Sequence, residues 1–139
     1  MTTTKVRAAI LLTALMLAGC SAAQDINAAQ EASTHFHEMM SAGQFEQIYA
    51  QSDESLRRTT TSENLTRVLS AINRKLGDVK SSESIGLTTG FNSSGTSVTL
   101  RYTTKFEHGT GAETFVYRIA DGKAQLAGYH VNSQELLTN

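Results

Sequence analysis

The second half of the chain carries a change of hydrophobic period that limits the folds open to it. From Ile85 onwards apolar residues alternate with polar ones, which is the pattern of strands that bury one face. The alternating segments are separated by Asn92-Ser93-Ser94-Gly95, Gly109-Thr110 and Asp121-Gly122, which favour short turns. Three such turns predict a four-stranded antiparallel sheet with one apolar face that must be covered.

The turns also predict which residues of neighbouring strands face one another. The second turn sets Tyr102 opposite Tyr117 and Phe106 opposite Glu113, and the third sets Glu113 against His130. A slip of one residue would move every side chain of a strand to the other face of the sheet. All three turns agree on a single apolar face, so this register is our expectation.

The first half of the chain shows a helical period instead. Apolar residues recur at helical spacing over residues 25–42, and a short second helix is expected over residues 45–49. Thr60-Thr61-Ser62-Glu63 has the pattern of a helix start, and apolar residues at i, i+3, i+4 and i+7 run on to Leu76 before Gly77. Helices followed by a curved, four-stranded antiparallel sheet predict an α+β fold in which the helices cover the apolar face.

Several segments of this pattern carry a likeness to known proteins. They are Phe45 to Tyr49 after a glycine, Lys75-Leu76-Gly77, Tyr102 to Gly109, Glu113-Thr114-Phe115, and Leu126 to Ser133 with its Gly128-Tyr129. Over residues 28–137 the chain resembles the NTF2-like or cystatin-like α+β superfamily, in particular its small secreted or lipid-anchored bacterial members of unknown function. The resemblance implies a cone-shaped sheet that can hold a pocket, as in ketosteroid isomerase and scytalone dehydratase, although many relatives keep the fold without chemistry.

The first twenty residues have the composition of an export signal. Lys5 and Arg7 precede an apolar run from Ala8 to Gly19 that only Thr13 interrupts. This run has the length of a signal-peptide core, whereas a membrane-spanning helix needs about 20 apolar residues. We therefore expect residues 1–19 to be an export signal.

The apolar run ends in Leu17-Ala18-Gly19-Cys20, which meets all four positions of a lipobox and resembles bacterial lipoprotein precursors. The resemblance implies cleavage before Cys20 and lipidation of Cys20, with residues 20–24 as a short tether and residues 25–139 as one α+β domain. We expect a lipid-anchored protein of the bacterial cell membrane that faces the periplasm. Ser21 stands where an Asp retains Gram-negative relatives in the inner membrane, which favours the outer membrane.

Composition excludes several classes of function. Cys20 is the only cysteine, so the chain forms no internal disulfide and no metal site from several thiolates. Cleavage would remove 19 of 139 residues and leave 120, enough for one modest domain. Without Lys5 and Arg7, ten of the twelve basic residues remain against thirteen acidic ones, a formal charge of −3. We expect no nucleic-acid partner, because that requires a clustered basic face.

The predicted register gathers one group of chemically useful side chains. Phe106, Glu113 and His130 fall together at one end of the apolar face, with Tyr102 and Tyr117 further in. Glu113 and His130 are candidates for a general acid and base, and Tyr102, Phe106 and Tyr117 for binding. The alternative is an ion pair at the solvated rim, where cross-strand opposite charges contribute about 0.2–1 kcal/mol.

No motif predicts a metal or a cofactor. His35 and His37 are two residues apart on the first predicted helix, so they do not share a face and would chelate poorly. The chain also has no Ser-His-Asp order, phosphate-binding glycine loop or metal-ligand spacing. An enzymatic role therefore rests on the family resemblance alone.

Two hypotheses remain open. The first is a non-enzymatic, membrane-anchored module that binds an envelope protein or a small apolar ligand. The second is an isomerase-type or dehydratase-type pocket enzyme that uses Glu113 and His130. The second requires a cavity of about 300 Å³ or more, open at the Glu113 end and not filled by Phe36, Met40 or Leu69.

Overall fold

The computed structural model describes the backbone of residues 3–138 and the side chains of residues 21–138. Within this range four α-helices precede four β-strands. The helices are α1 (Thr3–Ser41), α2 (Phe45–Gln51), α3 (Glu54–Thr59) and α4 (Ser62–Leu76). The strands are β1 (Val79–Asn92), β2 (Gly95–Phe106), β3 (Gly109–Ala120) and β4 (Lys123–Ser133), followed by a 3-10 helix at Gln134–Leu136. The predicted α+β order is confirmed.

Helix α1 is longer than the helix predicted over residues 25–42. It begins at Thr3 and continues without a break through the segment that we predicted as a tether, residues 20–24. The side chain of Cys20 lies outside the described side chains, so its lipidation stays a prediction. In the described part of the chain, no helix combines the length and the apolar character that a membrane span requires.

One stripe of α1 faces the sheet. Ala29, Phe36 and Met40 are buried at spacings of seven and four residues, which places them on the same side of the helix. After Ser41 the chain turns at Gly43, whose φ of +70° is a conformation that glycine adopts without steric cost. The rest of the stripe is continued by Ser33 and Met39, which are also buried.

The short helices cover the edge of the core that α1 leaves open. The predicted second helix is confirmed as α2, and α3 follows it as an element that the sequence pattern did not indicate. Asp53 begins α3 because its side chain accepts a hydrogen bond from the Ser55 amide. Helix α4 is capped by Thr61 rather than Thr60, since the Thr61 hydroxyl accepts from the Asn64 amide.

The four strands pair in sequence order as an antiparallel meander. One face of the central strands is buried against the helices. Its buried residues are Val98, Leu100, Phe115, Tyr117 and Leu126, and they pack against Ala29, Phe36, Met39, Met40, Ile48 and Leu69. The core therefore lies between α1, the short helices and strands β2 to β4.

The predicted register is correct near the first and third turns. Leu87 pairs with Leu100 around the Ser93-Ser94 turn, and Tyr117 pairs with Leu126 around Asp121-Gly122. Asp121 and Gly122 both have positive φ, as a two-residue hairpin turn of this sequence requires.

The predicted register of the second hairpin is wrong by four residues. The turn lies at Glu107-His108 rather than Gly109-Thr110, so Tyr102 pairs with Glu113 and Phe106 pairs with Gly109. The turn is fixed by α4 and the chain after it, because the His108 amide donates to the Leu76 carbonyl and the Glu107 amide to Asp78. An even shift keeps the same residues on the covered face, so the predicted face of β3 is retained.

A bulge in β4 overturns the predicted pairing of Glu113 with His130. Val116 pairs with Gly128 while Tyr117 pairs with Leu126, so Ala127 is an extra residue. Beyond the bulge Glu113 lies opposite Val131, and His130 is exposed.

Strand β1 is not half-buried as its alternation predicted. Ile85, Leu87 and Phe91 are 57%, 42% and 86% exposed. Leu87 and Phe91 belong to the same face as the core, because they pair with Leu100 and Thr96. Since the helices pack over β2, β3 and β4, the face of this edge strand is left uncovered.

Phe115 is buried and Phe91 is exposed, so the same substitution at the two positions tests this packing. Phe115→Ala should lower the free energy of unfolding by about 3–5 kcal/mol, because the Phe115 side chain is fully buried. Phe91→Ala, the same change at an exposed position, should alter it by less than about 0.5 kcal/mol. Urea unfolding followed by circular dichroism measures both. Equal losses would contradict the described coverage of the sheet.

Candidate functional site

Glu113 is a buried acidic residue in the middle of the covered face. It is 1% exposed, and it lies on β3 beside Tyr102 of β2 and Val131 of β4. A carboxylate in an apolar interior is costly unless it is paired and hydrogen-bonded. The groups around Glu113 therefore decide what this site can do.

Three side chains surround the Glu113 carboxylate. His37 of α1 places Nε2 3.0 Å from Oε2 and 3.2 Å from Oε1. The Thr104 hydroxyl donates to Oε2 at 2.5 Å, and the Tyr129 hydroxyl donates to Oε1 at 2.7 Å. We name these four residues, His37, Thr104, Glu113 and Tyr129, the Glu113 cluster.

A fifth side chain supports the cluster from β1. The Ser82 hydroxyl lies 3.0 Å from the Thr104 hydroxyl. Because Thr104 has one hydroxyl proton and donates it to Glu113, Ser82 is the donor in this contact. Together with Ser82, the Glu113 cluster joins α1 to all four strands.

The electrostatics of the cluster hold Glu113 in its charged form. Burial by itself raises the pKa of the Glu113 carboxyl, but the His37 hydrogen bond and charge outweigh it, with further help from Thr104 and Tyr129. The net result is a lowered pKa. Burial and the nearby Glu113 charge raise the pKa of Tyr129 well above its ordinary value, so Tyr129 is a neutral donor.

Aromatic rings enclose the cluster. The Phe115 ring centre lies 5.0 Å from that of Tyr129, 5.2 Å from that of Phe36 and 5.6 Å from that of His37. The Phe36 and Tyr129 rings are 4.6 Å apart. Such contacts keep water away from the carboxylate and strengthen its hydrogen bonds.

The interior beside Glu113 is filled. The space that Phe36, Phe106, Glu113 and Tyr129 share has a volume of about 10 Å³, about the minimum that holds one water molecule. Phe36, Met40 and Leu69 are all buried, so their side chains fill the interior that the enzymatic hypothesis requires to be open. Among the described residues, the space at Glu113 itself is therefore far smaller than the roughly 300 Å³ that the enzymatic hypothesis needs. A larger hollow of about 660 Å³ lies on the outer side of His37, but it is an open surface between α1 and the start of β1.

The structure brings together only some of the predicted site residues. Tyr102 and Phe106 are partly buried near Glu113, and Tyr117 is buried four residues further along β3, beyond Phe115. Tyr117 instead contacts Ser33 of α1, with 3.1 Å between the two hydroxyl oxygens. His130 does not reach Glu113, because the β4 bulge sets it opposite Thr114. The idea of a solvated rim pair is also wrong, since Glu113 is buried.

Sequence reasoning missed His37 as the partner of Glu113. The sequence pattern presents His37 only as a poor metal ligand beside His35. The useful signal was the inward position of Glu113, since a buried carboxylate requires a cationic or hydrogen-bonding partner. His37 is next to Phe36 on the helix that covers the sheet, and its side chain is only 14% exposed.

A second feature is an apolar groove on the surface, between α3, α4, β4 and the C-terminal 3-10 helix. Its volume is about 250 Å³. It is lined by Leu56, Leu65, Val68, Leu69, Ile72, Leu126, Tyr129, His130, Val131 and Leu136. Eight of these residues are aliphatic, so the groove suits an apolar group rather than an ion.

Residues 33–129 match the protein family described as "Protein of unknown function (DUF3887)". The chain belongs to this family. The DUF3887 match begins at Ser33 on α1 and ends at Tyr129 on β4, so it contains all four members of the Glu113 cluster. His130 lies just outside it. No curated protein matches the chain.

The described side chains of this DUF3887 domain do not provide a metal centre. Among residues 21–138, no three His, Cys, Asp or Glu side chains lie close enough together to hold a metal ion. The Glu113 carboxylate oxygens are directed at protein hydrogen-bond donors.

The lowered pKa of Glu113 predicts how stability depends on pH. A group whose pKa is lower in the folded chain stabilises the fold above its unfolded pKa, and this contribution is lost as pH falls through the folded value. At pH 7 Glu113→Gln should lower the free energy of unfolding by roughly 2–5 kcal/mol, because it leaves the partly buried His37 without its anionic partner. The difference from wild type should shrink below about pH 4.

The matched control is Glu83→Gln, which makes the same change at an exposed position of β1. It should have little effect on stability at either pH. Denaturant unfolding of the three proteins at pH 7 and pH 3.5 measures the difference. A loss for Glu113→Gln that is the same at both pH values would contradict a stabilising charge at Glu113.

Proposed function

We propose that the protein is an extracytoplasmic lipoprotein whose DUF3887 domain binds other molecules at its surface and performs no chemistry of its own. The observation that carries the proposal is Leu17-Ala18-Gly19-Cys20 at the end of a short apolar run. The domain would be held at the outer membrane, facing the periplasm. The likeness to NTF2-like or cystatin-like proteins is part of this proposal.

The connection between anchor and domain supports a role close to the membrane. Residues 20–24 belong to α1, so the first fully buried residue, Ala29, follows Cys20 after nine helical residues. Nine residues of helix span about 14 Å. A lipidated Cys20 would therefore hold the domain near the bilayer on a helical stem.

The Glu113 cluster supports a structural role, rather than a catalytic role, for the buried Glu113 carboxylate. A general acid or base needs access to substrate and a proton that it can exchange. The carboxylate of Glu113 instead accepts hydrogen bonds from three side chains, and the space beside it is about 10 Å³. This geometry favours binding over the isomerase-type or dehydratase-type alternative.

The apolar groove supports the proposal that the domain binds a small apolar ligand. An apolar cavity of about 150 Å³ binds benzene in an engineered protein, so 250 Å³ suits a ligand of one or two rings or a short alkyl chain. Val68 lines the groove and is 54% exposed, so part of its apolar surface is available to such a ligand.

Lipidation of Cys20 is directly testable. In cells fed an alkyne-bearing fatty acid, the wild-type protein should carry the label and lack its first 19 residues by mass spectrometry. Cys20→Ser should lose the label and keep residues 1–19, because the lipid-accepting thiol is absent. Ser21→Ala is the control, and it should be labelled like wild type. An unlabelled wild-type protein that retains its leader would overturn the anchored role.

Ligand binding at the groove makes a separate prediction. Val68→Asp should weaken the binding of naphthalene by about tenfold, because a carboxylate in the groove must be desolvated when an apolar ring enters. Leu137→Asp places the same charge at a residue that is 83% exposed and does not line the groove, and it should leave binding unchanged. Quenching of naphthalene fluorescence measures both. Equal effects of the two variants would exclude the groove.

A further inference from the structure

The hairpin of β1 and β2 has a surface that the fold does not cover. Its residues 84–100 are seventeen in a row without a charged side chain, although 18% of the chain is charged and about three charges would be expected. Within this stretch Leu87 and Phe91 are exposed on the face that elsewhere forms the core. Phe91 is 86% exposed beside the turn. We name residues 84–100 the uncharged hairpin.

Phe91 lies at the end of the sheet that is nearest the start of α1. It pairs with Thr96, Thr96 pairs with Ile119, and Ile119 pairs with Ala124, so one row crosses all four strands. Ala124 lines a shared space with Ala32 of α1. The row that contains Phe91 therefore crosses the sheet beside the part of α1 that runs from Ala32 to Met39.

The direction of α1 confirms which end this is. His37 contacts Glu113, and four residues earlier Ser33 contacts Tyr117. Moving toward the N-terminus of α1 is thus moving toward the C-terminal end of β3 and the tip of the uncharged hairpin. Cys20 precedes Ala32 by twelve residues, which is about 18 Å of helix.

We propose that the uncharged hairpin is a second membrane contact, and that it inserts Phe91 into the interface of the bilayer that holds the lipidated Cys20. The inference rests on the proposed lipid anchor. The anchor and Phe91 lie toward the same end of the domain. In the proposed arrangement α1 lies inclined to the bilayer, so that Cys20 and Phe91 reach one membrane surface. Asp121 and Lys123 of the neighbouring turn then lie at headgroup level.

A lipid bilayer fits this surface better than other partners do. An acylated Cys20 keeps the hairpin within tens of ångströms of the bilayer at all times, which gives the lipid surface a high effective concentration. Apolar side chains with no charge among them enter the boundary between headgroups and acyl chains without a desolvation penalty for ions. Residues 84–100 contain no basic residue, and the one guanidinium at their tip, that of Arg118, donates to the Ser94 carbonyl and is paired with Asp53, so the contact does not depend on anionic lipids.

The experiment uses the full-length acylated protein in vesicles of phosphatidylethanolamine and phosphatidylglycerol that contain a nitroxide-bearing lipid. Acylation consumes the only native thiol, so Ser93→Cys supplies one site for a fluorescent label in the turn beside Phe91. The matched control is His108→Cys in the turn at the opposite end of the sheet. Mass spectrometry of each sample counts acyl chains and labelled thiols.

We expect the nitroxide lipid to quench the label at position 93 at least about threefold more than the label at position 108, since interfacial groups lie ~5–10 Å into the headgroup boundary. Phe91→Ser, added to Ser93→Cys, should reduce quenching at position 93 by about half or more. Raising the salt concentration should leave the quenching unchanged, because residues 84–100 carry no charge and the neighbouring Arg118 is paired with Asp53.

Equal quenching at positions 93 and 108 in acylated protein would overturn the inference and leave the lipid anchor intact. A chemical crosslink between the hairpins of two molecules would also overturn it, in favour of a second copy of the chain. A label at position 93 that is shielded from water but not quenched by the nitroxide lipid would overturn it in favour of another protein. A sample with no acyl chain and two labelled thiols would remove the anchor and with it this inference. The mass spectrum distinguishes that case from the others.

Discussion

Coverage of one sheet face by a single long helix is the constraint on which the rest of this structure depends. A four-stranded antiparallel sheet presents an apolar face that must be buried, and α1 crosses it with its stripe of Ala29, Phe36 and Met40. The short helices extend this cover over β4. One strand remains beyond it, so the same packing that closes the interior leaves the apolar face of β1 exposed.

The helix also brings the partner for the one charge on the covered face. Glu113 is acceptable in the core only while His37, Thr104 and Tyr129 surround it, because an unpaired buried carboxylate costs several kcal/mol. A shift of β3 by two residues along β2, in the direction that sets Glu113 opposite Leu100, would separate it from Thr104. We infer that the Glu113 cluster selects the register of the sheet against α1, and that its role is in folding specificity.

Local turn sequences predicted the strands better than they predicted the pairing. The first and third hairpins follow their turns, since Ser93-Ser94 and Asp121-Gly122 are not contradicted by distant contacts. The second turn lies at Glu107-His108 because the His108 amide finds its acceptor at the end of α4, far away in sequence. The Ala127 bulge likewise moved His130 away from Glu113. Gly128 beside it is a residue that often marks a bulge in a strand, and the predicted register did not allow for it.

The sequence by itself determined the order of helices and strands, the inward position of Glu113, and the lipobox that predicts an anchor at Cys20. These follow from periodicity and local motifs, which depend on neighbours in the chain. Only the tertiary structure decided that His37 pairs with Glu113, that the interior is filled, and that Phe91 lies exposed toward the same end as Cys20. Each of these depends on how α1 crosses the sheet, and a crossing between distant segments leaves no periodic signal in either one.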